Sequence, residues 1–175
     1  IVAESRRRAA EQGRELRLAL VSNLSLLDDA RLTYLMENMV SVCTSLDGPA
    51  DLHDRNRPWS GGSSHAVVER WLRRAAERYG DSGGSRYPRP NALMTVTRAS
   101  LSRPEDIVEE YARLGLDNLF ARPLTPLGSA RKTAKAIGYP PEDYLAFYGR
   151  LLERVLALNA RGVPMRERGA AILLA

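Results

Sequence analysis

Four short apolar runs, each ending in polar residues and each separated from the next by a segment of helical period, constrain this chain more than any other feature. The runs are Leu18-Ala19-Leu20-Val21, closing in Ser22-Asn23; Val40-Ser41-Val42-Cys43-Thr44, ending at Ser45; Ala92-Leu93-Met94-Thr95-Val96-Thr97; and Asn118-Leu119-Phe120-Ala121-Arg122. A brief continuous apolar run suits a strand covered on both faces, as in a parallel sheet. The segments between them switch period. Val2 to Leu16, rich in Ala, Arg and Glu and without Pro, predicts a solvated helix. Asp28 is an N-cap for Leu32, Leu35, Met36 and Met39 at helical spacing. Ser63 or Ser64 caps a helix through Val67, Val68, Trp71, Leu72 and Ala75 to Tyr79, with Gly80 at a left-handed end. Ser102 caps a further helix with Pro104 in its first turn and Glu105 bonding back, and Gly115 stops it after Leu114. A long helix is predicted from Pro141 to about Asn159, ended by Gly162, with another beginning near Pro164.

Strands alternating with helices describe βα units, hence an α/β fold with a parallel sheet. Two stretches are read as loops: Leu46 to Ser64, which is rich in Asp, Gly, Pro, Asn and Ser, and the Pro- and Gly-punctuated segment after Arg122. Loops as long as the first tend to be functional. The polar ends of the strands mark one rim, where parallel α/β folds place their sites. Four strands cannot close a barrel, and the outer two would present unpaired edges. The 175 residues make one domain, 1–175, expected to be an incomplete part of a longer chain that begins here at Ile rather than Met.

Composition removes several classes. No apolar run approaches the roughly twenty residues of a membrane-spanning helix, so a soluble, cytoplasmic protein is expected. The charge is +5, from 26 Lys+Arg against 21 Asp+Glu, with the arginines dispersed among acids, which argues against a nucleic-acid partner. One cysteine, Cys43, and two histidines, His53 and His65, cannot supply a four-cysteine zinc or iron–sulfur site, so no metal ligands are expected within the chain.

The stretch Thr44-Ser45-Leu46-Asp47-Gly48-Pro49 with Asp51-Leu52-His53-Asp54-Arg55-Asn56-Arg57-Pro58 resembles radical S-adenosylmethionine peptide maturases, the anaerobic sulfatase maturases and their relatives with a C-terminal cluster domain. Ser22-Asn23 stands where such enzymes commonly carry T-N-G after their third strand, and the third and fourth runs here fit their fifth and sixth strands. Arg122-Pro123-Leu124-x-Pro126-x-Gly128, Ile137-Gly138-Tyr139 and Arg166-Glu167-x-Gly169-Ala170-Ala171-Ile172-Leu173-Leu174 look most like the maturase of the His-Xaa-Ser repeat peptide system. The resemblance covers nearly the whole chain. It implies a partial TIM-type (β/α)6 radical barrel with its first strands missing. It also implies an enzyme that cleaves S-adenosylmethionine at a [4Fe-4S] cluster to a 5′-deoxyadenosyl radical and modifies a ribosomally made precursor peptide, drawing on an electron donor. The C-x-x-x-C-x-x-C cluster loop and the Gly-Gly-Glu-Pro segment would lie upstream of Ile1, so the chain alone would be inactive. The alternatives are a cluster-less relative serving as a peptide-binding scaffold, and another α/β enzyme of phosphate or sugar chemistry, which lacks a Gly-rich phosphate loop here.

The resemblance implies that Ser45 presents its hydroxyl to the ribose of S-adenosylmethionine; alternatively Ser45 and Asp47 only bond their own loop. Arg70 has the chemistry to pair with the cofactor carboxylate, but with Arg73, Arg74 and Arg78 it also reads as a solvated face. Asn23 is a rim amide or a turn residue. Arg122, at the end of a buried strand, requires a carboxylate partner or an opening to the cleft. Thr97 lines the cleft or merely favours a strand. His53 with Asp54 lacks a nucleophile and reads as loop structure, and Cys43 as a small buried hydrophobe. Trp59, Tyr87 and Tyr139 are loop aromatics that line a peptide cleft or pack on the shell.

Overall fold

The structure is a computed structural model describing residues 1–81 and 89–174. It contains a parallel sheet of four strands in the order β1 (Leu18–Val21), β2 (Val40–Ser45), β3 (Asn91–Thr95) and β5 (Ala121–Arg122). Leu18 pairs with Val40, Cys43 with Asn91, and Thr95 with Arg122. The chain passes between strands through α2 (Asp29–Glu37), then α3 (Ala50–Asn56) and α4 (Ser64–Asp81), then a single 3-10 turn (Arg98–Ser100) and α5 (Pro104–Arg113). Before the sheet comes α1 (Val2–Glu11); after it come α6 (Ser129–Ile137), α7 (Pro141–Ala160) and α8 (Arg168–Leu173). This is the partial α/β barrel expected, and its sheet does not close among the described residues.

The run Asn118 to Arg122 is not one strand. It breaks at Phe120: β4 (Asn118–Leu119) pairs with β6 (Arg166–Glu167), while β5 continues the main sheet. The carbonyl of Phe120 accepts both Met94 N–H and Arg122 N–H at 3.1 Å, a tight kink that re-aims the strand. Glu167 fixes the break, its buried carboxylate accepting Ala121 N–H at 3.2 Å and Ala170 N–H at 2.7 Å. The Tyr148 hydroxyl donates to the same carboxylate.

Among the described residues one face of the sheet is covered more fully than the other. Val40, Val42 and Thr44 are buried, whereas Ser41, Cys43 and Ser45, which alternate with them, are half-buried. The main core joins Leu46, Val68, Leu72, Met94, Val96, Ile107, Tyr111 and Leu119 to Phe147, Leu151 and Val155 of α7. A smaller core beneath β1 and β2 contains Leu24, Leu32, Met36, Val42 and Trp71. The expectation of strands buried on both faces therefore fails for β1, whose Leu20 and Val21 are exposed, because no element covers that edge among the described residues.

Other expectations need correction. Residues 46–64 hold the helix α3, which propensity alone would not form; it stands because Leu52 enters the core and the His53 ring bonds to the backbone. The segment read as a loop after Arg122 contains α6. The first helix stops at Glu11, because Gly13 takes a left-handed φ of 60°. Gly80 lies inside α4 rather than ending it. Ser102 is not a cap, since Arg103 holds that position without a side-chain bond, and Glu105 pairs instead with Arg150 of α7. Asp28 does cap α2, accepting Arg31 N–H at 2.7 Å, and Gly115 and Gly162 take the left-handed conformation after α5 and α7.

Gly48 controls the path from β2 into α3. Its φ is 129°, and a Cβ there would stand 2.9 Å from Ile107 Cγ1 and 3.1 Å from Leu52 Cδ2. Gly48→Ala combines backbone strain with overpacking and is expected to lower stability by about 2 kcal/mol, read as a shift in the urea midpoint at unchanged slope.

Candidate functional site

The rim of the sheet is organised by Asp47, the second residue after β2. Its buried carboxylate accepts Arg57 Nε at 2.7 Å and Arg57 Nη2 at 3.1 Å, and it also accepts Thr95 N–H at 3.1 Å. Its own amide donates to His53 Nδ1 at 3.1 Å. One residue earlier, the Leu46 carbonyl accepts the buried Tyr111 hydroxyl at 2.7 Å. Asp47 thus ties β2, β3 and the end of α3 together.

Beside this knot lies a pocket of about 160 Å³, lined by Asn23, Ser45, His53, Arg57, Trp59 and Ser64 among others. Of the six predicted cofactor-contacting residues, the fold brings Asn23 and Ser45 into this one pocket, Ser45 two residues from Asp47. The Ser45 side chain is half-buried and takes no hydrogen bond among the described residues. Asn23 is exposed and accepts Ser25 N–H at 3.2 Å and the Ser25 hydroxyl at 2.9 Å, a local turn bond. Thr97 is buried: its hydroxyl meets Asn56 at 3.1 Å, and with Ser100 it forms a capping box on the 3-10 turn. Arg70 is exposed on α4 outside the pocket lining, its guanidinium 5.0 Å over the Trp71 ring. Arg73 pairs with Glu69, and Arg74 and Arg78 with Asp29. Arg122 is exposed on the open face of the sheet, without an ion pair among the described residues.

The loop residues divide similarly. Asp54 accepts Ser64 Oγ at 3.0 Å and His65 N–H at 2.8 Å, so it caps α4 rather than serving His53. Trp59 is partly exposed at the pocket mouth. Tyr139 accepts Leu124 N–H at 2.9 Å and stacks on Tyr144, which packs it against the shell. Tyr87 lies outside the described residues.

A buried network behind the pocket was missed from the sequence. The His65 ring stands edge-on to His53 at 5.8 Å, and its Nε2 is 2.7 Å from Glu110 Oε1; Glu110 accepts Arg113, which also bonds Glu69. The guanidinium of Arg113 holds the Glu69 carboxyl down at about 2. One signal was available: His65, Val68 and Leu72 share one helical face, which places the ring toward the core. Among the described residues no cluster of His, Cys, Asp and Glu could hold a metal ion, and no helix is long and apolar enough to cross a membrane.

No family model matches the chain. Solved structures do share its fold. Native anSMEcpe with bound AdoMet and the Kp18Cys peptide superposes with a TM-score of 0.76 at 23% identity. The complex with the Cp18Cys peptide gives 0.76 at 24%, and the complex with AdoMet alone 0.73 at 23%. In each case 95% of this chain is covered but only 44% of the other, so the chain spans less than half the length of the structures it matches. The chain therefore shares its fold with part of these structures, in which AdoMet is bound.

Burial holds His53 down at about 4, from an ordinary 6.5, and the bond from Asp47 N–H requires Nδ1 to be unprotonated. The unfolded chain protonates this ring below 6.5 while the folded chain resists, so the unfolded state binds more protons and stability is lost as pH falls from about 6.5 through 4. Urea titrations across that window are expected to show the loss, and His53→Gln, which stays neutral, should flatten it. The carboxylate of Glu69 contributes separately, below its ordinary 4.5.

Proposed function

We propose that the chain is the central part of a radical S-adenosylmethionine enzyme that modifies a ribosomally made peptide or protein, with Ser45 as the ribose contact. One observation carries the reading. The Ser45 hydroxyl is unspent at the end of β2, in a rim pocket, on a fold shared over 95% of the chain with a structure that holds AdoMet and a peptide. The motif around Ser45-Leu46-Asp47-Gly48-Pro49 agrees with it.

The donor set fits the group. A hydroxyl that can donate and accept suits a sugar diol, and the Asn23 amide beside it adds a second polar contact. When bound, S-adenosylmethionine would supply the 5′-deoxyadenosyl radical that such enzymes use on a peptide; the protein supplies orientation and exclusion of water. In this chain Asp47 and Arg57 hold the loop that walls the pocket, Gly48 lets that loop turn, and Trp59 narrows the mouth. Arg70 and Arg122 make no ion pair among the described residues and would offer contact to an anionic end of cofactor or substrate. A [4Fe-4S] cluster needs more than the single Cys43, so its ligands would come from outside these residues.

The test uses protein from the complete reading frame, reconstituted with iron and sulfide without oxygen and reduced by dithionite. Release of 5′-deoxyadenosine from S-adenosylmethionine is the expected result, and a cluster-loaded protein that releases none overturns the reading. Loss of one hydrogen bond in Ser45→Ala should weaken S-adenosylmethionine binding about fivefold, measured by calorimetry; unchanged affinity would remove Ser45 from the site.

A further inference from the structure

Along β2, two residues before Ser45 and on the same face, Cys43 enters a second cavity of about 550 Å³ between the sheet, the broken fourth strand and α8. Asn91, Leu93 and Phe120 line it, together with the exposed Arg166 and Arg168. The Arg168 guanidinium is held 5.7 Å from the Phe120 ring centroid. Among the described residues no Asp or Glu lines the cavity.

These guanidiniums differ from most others in the chain. Arg57, Arg73, Arg74, Arg78, Arg103, Arg113 and Arg150 pair with carboxylates, whereas Arg166, Arg168 and the neighbouring Arg122 make no ion pair among the described residues. Burial raises the Cys43 thiol, and Arg168 and Arg122 both oppose that rise, so their field reaches the cavity wall. Cations without partners in a concave, partly apolar recess concentrate a positive potential there, and guanidinium favours a carboxylate as its bidentate partner.

We propose that this cavity is a subsite for the carboxylate side chain of an Asp or Glu in a bound peptide, with Arg168 and Arg166 as its cationic partners. A peptide fits better than a small free anion because the cations stand beside Leu93, Phe120 and the Asn91 amide, a mixture that suits methylene groups and a backbone as well as the charge. The cavity also lies on the face of β2 that Ser45 shares, so a peptide reaching the rim can continue into it. The peptide part of this assignment rests on the function proposed above.

Cys43 reports on the cavity directly. In protein from the complete reading frame, its alkylation by iodoacetate and by neutral iodoacetamide is measured by peptide mass mapping. The iodoacetate-to-iodoacetamide rate ratio should exceed that of the urea-unfolded protein. It should fall about threefold in Arg168→Gln, the effect of one charge at several ångströms in water. Arg166→Gln provides an independent variant if the first does not fold. A Glu-containing peptide should protect Cys43, and the same peptide with Gln in its place should not. Absence of any preference for the anionic reagent, or equal protection by the two peptides, overturns the proposal. Protection by inorganic phosphate matching that by the Glu peptide makes this a small-anion site and also overturns it. Release of 5′-deoxyadenosine is scored on the same samples. Its absence defeats the radical reading, while the Cys43 result alone decides the subsite.

Discussion

Two oxygens of one buried carboxylate hold together the parts of the rim that strand pairing leaves loose. Parallel pairing aligns β2 with β3 only as far as Ser45 and Leu93; beyond that point β2 has ended while β3 runs on to Thr95. Asp47 spans the gap by accepting Thr95 N–H, and its remaining capacity goes to the two donors of Arg57 at the end of α3. Burying a carboxylate is expensive unless its oxygens are satisfied with good geometry, and here three donors do so. Because the Asp47 amide also anchors His53, the seven residues of α3 are fixed at their middle and, through Arg57, at their C-terminal end, although a helix that short would not persist alone. The pocket beside Ser45 is walled by this loop, held by these bonds.

Glu167 does for the far edge of the sheet what Asp47 does for the rim. A strand broken at Phe120 leaves backbone groups unpaired, and a buried unpaired N–H costs as much as a lost hydrogen bond. Glu167 takes the Ala121 N–H, the Tyr144 hydroxyl donates to the Ala121 carbonyl at 2.9 Å, and β6 pairs the half-strand β4. The break therefore anchors the chain after α7, and it brings Arg166 and Arg168 beside the open face of the sheet. Burial beside Glu167 raises the Tyr144 hydroxyl to about 12, which keeps it a donor at any ordinary pH.

The strands and most helices were legible because their signals are local. Asp28, Gly115 and Gly162 act within one turn of where they stand, and the apolar runs are long enough to fix a period. What was not legible depends on partners distant in sequence. The helix α3 has a composition that reads as loop and is stabilised by groups on β2 and in the core. The break at Phe120 is invisible without Glu167, which lies 46 residues after Ala121. The same holds for the site: the resemblance pointed to Ser45 and Asn23, which do share a pocket, but only the fold shows that Asp47 and Thr97 are already engaged with Arg57, Thr95, Asn56 and Ser100. Arg122 was expected to find a carboxylate partner or to face the cleft, and it stands on the open face of the sheet without an ion pair among the described residues.

That distinction between engaged and unengaged polar groups separates scaffold from site more sharply than residue type does. A side chain whose hydrogen-bonding capacity is consumed by its own chain cannot bind a ligand without first breaking those bonds, and for a buried group the cost is that of an orphaned partner, about 1–3 kcal/mol each. Asp47, His53, Asp54, Thr97 and Glu167 all fall on that side. Ser45, Arg122, Arg166 and Arg168 fall on the other, and three of the four are cations on or beside the open face of the sheet. Several exposed cations on the helices, among them Arg7, Arg8, Arg73 and Arg113, pair with acidic neighbours three or four residues away, at separations where pairing forms readily. Those around the sheet face have none, since strands and the short α8 place no Asp or Glu within reach. The topology thus leaves a set of polar groups unengaged on one surface while Asp47, His53, Asp54, Thr97 and Glu167 around them are held by the chain's own bonds.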